Sequence, residues 1–309
     1  MSNNNNNNNN KPQRQKEALI GVLNALGAFL IWGLSPIYFK TLAYVPAFEI
    51  LLHRMVWSFL FLFPLVILMG RWKEFSAAIV NPRTFFILIG TTLLVSANWF
   101  VFIWAVNSGK ILHTSLGYFI NPLINVMLGM LFLKERLRPA QTAAVILAAA
   151  GVIYMTIEVG SLPWVSLFLA ISFGFYGLIR KTAAVNTLIG LTVETMLLFF
   201  PASAYLYYLY SQSTGAFQSI SVTTDMLLMG AALVTAVPLL LFTAGARRIH
   251  LATVGMLQYI APSCTFILAV FIYNEPLQTA QFRAFVLIWI SLIIYSADSV
   301  IASWSGNRK

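Results

Sequence analysis

Ile120-Asn121-Pro122, running on to Lys134-Glu135-Arg136-Leu137, and Ile260-Ala261-Pro262, running on to Asn274-Glu275-Pro276-Leu277, are one pattern written twice at an offset of 140 positions. Thirteen positions separate proline from glutamate in both copies. Gly90 and Gly230, Phe102 and Phe242, and Gln141 and Gln281 fall at the same offset. Apolar coincidences mean little in so apolar a chain. The proline and glutamate matches mean more, because the chain holds only 12 Pro and 9 acidic residues. Each copy contains five apolar segments, an odd number, so the second copy enters a membrane from the opposite side. The expected fold is an all-α integral membrane protein of ten transmembrane helices, arranged as two inverted five-helix repeats, 18–157 and 162–302. An Asn-rich tail, 1–17, precedes them and a short tail, 303–309, follows.

Composition agrees with that reading. Of 309 residues, 59% are hydrophobic and 9% charged, with a mean hydropathy of +0.81. A soluble domain carries about 25% charged residues. Cys264 is the sole cysteine, which excludes a disulfide scaffold. At about 20 residues per spanning helix the chain accommodates roughly ten spans. They fall near 18–39, 47–69, 84–107, 112–133, 139–157, 162–179, 189–210, 225–246, 250–273 and 281–302. No GxxxxGK[ST] occurs, and the longest connection, about 211–224, is too short for a nucleotide-binding domain.

The net charge of +10 is spread in small clusters between apolar runs rather than gathered on one face, which argues against nucleic acid as a partner. With the N-terminus inside, all but Lys40, Arg54, Lys110 and Arg283 of the 19 Lys and Arg fall on the cytoplasmic side. This asymmetry places both termini in the cytoplasm. Lys11, Arg14 and Lys16 follow the asparagine run of Asn3 to Asn10, an order unlike that of a cleavable signal.

The residues able to carry transport lie within the spans. Pro122 and Pro262 sit mid-span in spans four and nine. Each removes a backbone donor, so two symmetry-related kinked helices are expected to flank a central cavity; packing kinks are the alternative. Glu49, His53 and Arg54 open span two, with Glu49 and His53 sharing a helix face. Glu194 sits at similar depth in span seven. An ionisable group in a span costs roughly 2.5–3.5 kcal/mol on insertion scales. These groups are therefore candidates for proton coupling or substrate charge, with Arg54 suited to a carboxylate or phosphate. The alternative makes Glu49 and Arg54 a structural pair near the headgroups. Glu194 has no basic partner in its own helix and is the candidate coupling group.

Trp32, Tyr38, Asn98, Trp99, Trp104, Tyr118, Asn121, Tyr176, Gln258 and Tyr259 are the candidate cavity lining. Rings with a few polar groups suit an amphiphilic solute, although amides bond neighbouring helices as readily as substrate. Lys40, Arg180 and Lys181 read as interfacial anchors, and Trp164, Trp289 and Trp304 as belt or lipid-facing residues. Asp298, near the end of span ten, is expected to reach water. Small residues from Ala143 to Gly151 suit internal packing or a homodimer.

Several stretches resemble the EamA type of the drug/metabolite transporter superfamily, and more narrowly the RarD, or "chloramphenicol-sensitive protein", family. They are Trp32-Gly33 with Pro36 and Tyr38 to Lys40; Val45-Pro46 with Glu49 and His53-Arg54; Asn98-Trp99 with Phe102 to Asn107; Ser115 to Pro122; Phe175 to Arg180; and Gln258-Tyr259. The resemblance spans about 18–300. It implies a multi-pass transporter of the bacterial cytoplasmic membrane that exports a drug or metabolite. It supplies no substrate, because the family name records a sensitivity and not a transport assay.

The function expected is secondary active transport, coupled to protons, of a small amphiphilic metabolite or drug by alternating access. A facilitative exchanger and a non-transporting sensor or assembly protein are the alternatives. An intramembrane enzyme is disfavoured: His53, His113 and His250 lie in different spans without HExxH, and Asp225 and Asp298 sit at span ends. No catalytic residue, metal site or cofactor is assigned, and the partners expected are a small-molecule substrate and the lipid bilayer.

Overall fold

In hydrocarbon every backbone N–H and C=O must be satisfied within the chain, which makes the long apolar runs helical. The computed structural model describes residues 10–107, 111–159, 164–272 and 279–305. In chain order the helices are α1 (Asn10–Lys40), α2 (Ala47–Leu68), α3 (Trp72–Val80), α4 (Pro82–Asn107), α5 (Ile111–Leu133), α6 (Pro139–Val159), α7 (Trp164–Thr182), α8 (Thr187–Ser211), α9 (Val222–Ala246), α10 (Leu251–Gln258), α11 (Ile260–Ile267) and α12 (Thr279–Ser305), with a π-helical turn at Leu268–Ile272. Among the described residues six helices are long and apolar enough to cross a membrane, and Tyr118–Leu133 and Leu251–Ile267 are shorter apolar helices. The chain is an all-helical integral membrane protein.

Local chemistry sets the helix starts. Pro82 and Pro139 open α4 and α6, where a missing N–H costs nothing. Asn186 caps α8 by accepting from the Leu188 N–H at 2.9 Å, and Ser221 caps α9 through the Thr224 N–H at 3.1 Å. α10 is capped from outside its own segment, by the connection after α5. The Glu135 carboxylate, just beyond α5, accepts from the Leu251 N–H at 2.7 Å and the Ala252 N–H at 3.0 Å. Those two N–H groups have no intrahelical acceptor, and the positive end of the helix dipole favours the anion. Glu135→Ala is expected to lower stability by about 1–2 kcal/mol, read from the thermal midpoint in detergent; an unchanged midpoint would show that water replaces the cap.

Three elements differ from the expectation. Helix α1 begins at Asn10, inside the segment read as a tail, and Glu17 pairs with Arg248 at 3.0 Å. Residues 72–80, read as part of a basic loop, form α3. Its buried Phe75 and Ala78 pack with Val66, Leu88, Ile189 and Val193. Arg71 donates two hydrogen bonds to Glu74 at 2.8 and 2.7 Å, which hold the Glu74 carboxyl below its usual range. Third, span nine is not one helix. It breaks at Tyr259 between α10 and α11, where Pro262 leaves the Gln258 carbonyl without its usual N–H donor. By contrast, α5 runs through Pro122 uninterrupted.

The helices pack as α1 on α9, α10 and α11; α2 on α8 and α9; α4 on α7 and α8; α5 on α7 and α10; and α6 on α12. Between apolar helices in lipid, close packing replaces hydrophobic expulsion as the attraction. The small-residue face of α6 is used internally: Ala144 and Ala148 are fully buried in a cluster with Ala284 and Ile288 of α12. The largest core cluster gathers Phe29, Trp32, Phe173, Tyr176 and Phe242, with ring centroids 5.3–6.1 Å apart in tilted and edge-on pairs.

Candidate functional site

Two charged groups inside the bundle organise the candidate residues. The first is Arg54. Its Nε donates to Thr235 Oγ1 at 2.7 Å, and its guanidinium lies over the rings of Phe39 at 5.1 Å and Trp99 at 5.5 Å. Tyr118 of α5 lies within electrostatic reach of it. Four helices besides α2 thus contribute: α1, α4, α5 and α9. Arg54 is only partly buried, and Tyr118 keeps 48% of its surface. The alternative, a Glu49–Arg54 pair, does not form. Glu49 turns to the connection after α8 and accepts from the Ala216 N–H at 2.6 Å, with His53 Nε2 3.9 Å away. Residues 49 and 54 are five apart and diverge around the helix, whereas 49 and 53 share a face.

The second group is Glu194, 2% exposed. Its Oε1 accepts from Thr91 Oγ1 at 2.6 Å and lies 3.6 Å from Arg180 Nε, and its Oε2 accepts from the Tyr176 hydroxyl at 3.3 Å. Arg180 is 1% exposed and donates through Nη2 to the Thr187 carbonyl at 3.1 Å. The reading of Arg180 as an interfacial anchor is therefore corrected: it is a buried counter-charge. Gly190, one turn before Glu194, leaves room for the guanidinium, which any side chain there would displace. Lys181 does not snorkel either. Its ammonium donates to the carbonyls of Ala246 and Ile249, tying α7 to the end of α9.

The remaining candidates mostly bond neighbouring helices. Asn98 donates to the Leu169 carbonyl and to Ser172 Oγ, both at 2.9 Å. Gln258 accepts from Asn125 at 2.7 Å, and the Tyr259 hydroxyl donates to the Phe119 carbonyl at 3.1 Å. Tyr38 donates to the Leu227 carbonyl. Trp32 belongs to the aromatic cluster. Asn121 is buried beside Pro122, and its Oδ1 has no hydrogen-bond partner. Pro262 is partly buried. The side chains of Trp104 and Trp304 lie outside the described residues. Trp164 is exposed, but Trp289 is half-buried and donates to Ser263 Oγ at 2.8 Å, not a belt residue. Asp298 keeps part of its side chain exposed, as expected, and pairs there with Arg138 at 2.6 Å.

The sequence reading missed Phe39, Thr235, Thr91 and Arg180. One signal for Arg180 was present: Tyr176 and Arg180 are one helical turn apart on α7, a spacing that puts both on one face. Phe39 and Thr235 leave no such mark, being ordinary residues of apolar helices. A cavity of about 470 Å³ lies elsewhere, between α4 and α7. Apolar Leu93, Leu94, Ala97, Phe168, Ile171 and Phe175 line most of it. Leu93 and Ile171 are exposed there, and neither Arg54 nor Glu194 lines the space.

Residues 19–157 match the EamA-like transporter family. The chain is 45% identical to an "Uncharacterized transporter" of Vibrio cholerae over 95% of its own length and 97% of that protein's. It is 45% identical to "Protein RarD" of Escherichia coli over 92% of its length and 96% of that protein's. It is 30% identical to "Chloramphenicol-sensitive protein RarD" of Pseudomonas aeruginosa over 90% and 94%. A solved crystal structure 17% identical in sequence shares the fold with a TM-score of 0.68, over 90% of this chain and 97% of that one. The chain belongs to the EamA-like transporter family, as a RarD-like member.

Proposed function

We propose that this chain is a secondary active transporter that exports a small amphiphilic metabolite or drug across the bacterial cytoplasmic membrane by alternating access, driven by protons. In this reading ten helices form two inverted five-helix repeats, 18–157 and 162–302, with both termini cytoplasmic. Corresponding helices are then α1 and α7, α2 and α8, α4 and α9, α5 and α10–α11, and α6 and α12. The packing supports this scheme: α1 on α9 mirrors α7 on α4, and α5 on α7 mirrors α10–α11 on α1. Tyr259 and Phe119, joined by a hydrogen bond, are equivalent positions at the offset of 140.

The observation that carries the proposal is the buried Glu194 carboxylate, contacted by α4 from the first repeat and α7 from the second. An ionisable group at that depth marks a transport path or proton relay by default. The permanent counter-charge of Arg180 favours a second reading, a facilitative exchanger in which the pair is structural. A solute-flux screen in proteoliposomes, with and without a pH gradient, separates the two. Gradient-driven uptake that disappears in the charge-balanced double variant Glu194→Gln/Arg180→Gln supports coupling. Flux that ignores the gradient supports exchange, and no flux of any solute overturns the transporter reading.

A further inference from the structure

Among the described residues the Arg54 guanidinium has no counterion. Among the described residues the ion pairs are His53–Glu49, Arg71–Glu74, Arg138–Asp298, Arg180–Glu194 and Arg248–Glu17, and Arg54 takes part in none. The nearby carboxylate of Glu49 is occupied by the Ala216 N–H. A basic side chain inside a membrane helix is ordinarily paired, since leaving it unpaired costs several kcal/mol.

The donors of Arg54 are unevenly used. Nε is held by Thr235 Oγ1, whose own hydroxyl donates to the Ala231 carbonyl at 2.8 Å. Among the described residues the two Nη groups make no hydrogen bond, and the side chain is only partly buried. Phe39 and Trp99 lie over the guanidinium face, so the free donors point along its edge. A planar edge with two parallel N–H groups matches a carboxylate, which accepts both. The rings of Trp99 and Phe39 supply apolar surface beside it, and the exposed Tyr118 lies within its electrostatic reach.

We infer that Arg54 is the head-group site for the transported solute, and that this solute is a small organic carboxylate with an aromatic or apolar body. The inference rests on the transporter reading and narrows its substrate class. Glu194 and Arg180 take no part in it, their charges being balanced against each other. In this inference Arg54 sets the sign of the charge accepted, Thr235 fixes the guanidinium in rotation, and the neighbouring rings hold the body of the solute.

The test uses the purified full chain and four matched probes: 3-phenylpropionate, 3-phenylpropanamide, 3-phenylpropylamine and benzylphosphonate. Equilibrium binding is read by titration calorimetry. The wild type is expected to bind the acid at least about tenfold more tightly than the amide, and the amine less tightly still. Arg54→Gln is expected to erase the preference of acid over amide. Arg54→Lys, which keeps the charge but not the planar fork, is expected to lose about tenfold for the acid. The wild-type comparison needs no variant, so a misfolded Arg54→Gln leaves the inference exposed to refutation. Equal binding of acid and amide, tighter binding of the phosphonate or amine, no binding of any probe, or an acid preference that survives Arg54→Gln would each overturn it. Flux of neutral or cationic solutes in the proteoliposome screen, without acid preference, overturns this inference and leaves the transporter reading standing. No flux at all, with Arg54-dependent binding of the acid, does the reverse.

Discussion

Arg180→Gln should destabilise the protein by about 3–5 kcal/mol, the range for removing one partner of a buried ion pair. The guanidinium and the Glu194 carboxylate are 1% and 2% exposed, so neither can recruit water in place of the other. Thr91 and Tyr176 would still donate to the carboxylate, but two neutral donors do not balance a full charge in a medium of low dielectric. Glu194→Gln should be damaging for the converse reason: the single variant strands Arg180, whose Nε and Nη1 already lack hydrogen-bond partners. The double variant Glu194→Gln/Arg180→Gln should recover most of the loss. Unfolding in detergent, monitored by tryptophan emission, gives the three midpoints. Additive losses in the double variant would show that the two groups act independently despite their 3.6 Å separation.

Gly255→Val should be the next most severe, at about 1–3 kcal/mol or more. A Cβ on Gly255 would lie 2.5 Å from the Pro122 carbonyl oxygen and 3.0 Å from Asn125 Cβ. The nearest obstacle is backbone, which cannot rotate away, so α5 and α10 must separate. That separation pulls apart the Asn125–Gln258 hydrogen bond at the same crossing. Gly90→Ala is the matched control, because its Cβ meets nothing within 4 Å. It should be neutral or gain up to about 1 kcal/mol from the lost flexibility of glycine. If both variants have the same midpoint, the α5–α10 crossing is looser than its distances imply.

Much of the architecture was legible because a bilayer leaves few choices. Hydropathy alone marks where α2, α4, α8 and α9 lie, and the prolines at 46, 82 and 139 mark where helices begin. The family was legible for a related reason: Trp32-Gly33, Asn98-Trp99 and Gln258-Tyr259 are local strings that survive without any knowledge of their neighbours. The shortfalls are equally local in origin. Helix α3 is nine residues long, and its two charged residues after Arg71 mimic a loop. The break at Tyr259 needs both the missing N–H of Pro262 and the neighbouring α5 to define it.

The candidate site divides along the same line. From sequence alone it follows that Glu49, His53, Arg54 and Glu194 are ionisable groups set within apolar helices, since depth along a helix is counted in residues. Which of them are paired does not follow, because pairing is a property of side chains brought together from different helices. Arg180 is fourteen positions before Glu194 and on another helix, so nothing in the order of residues links them; the packing of α7 and α8 against α4 does. Glu49 is only five positions from Arg54, yet the helical rotation between them and the offer of the Ala216 N–H keep them apart. The sequence determined that charge would be buried in this membrane protein. Only the tertiary structure decided that Glu194 received a counter-charge and that Arg54, among the described residues, did not, because the low dielectric makes each outcome depend on contacts of a few ångströms.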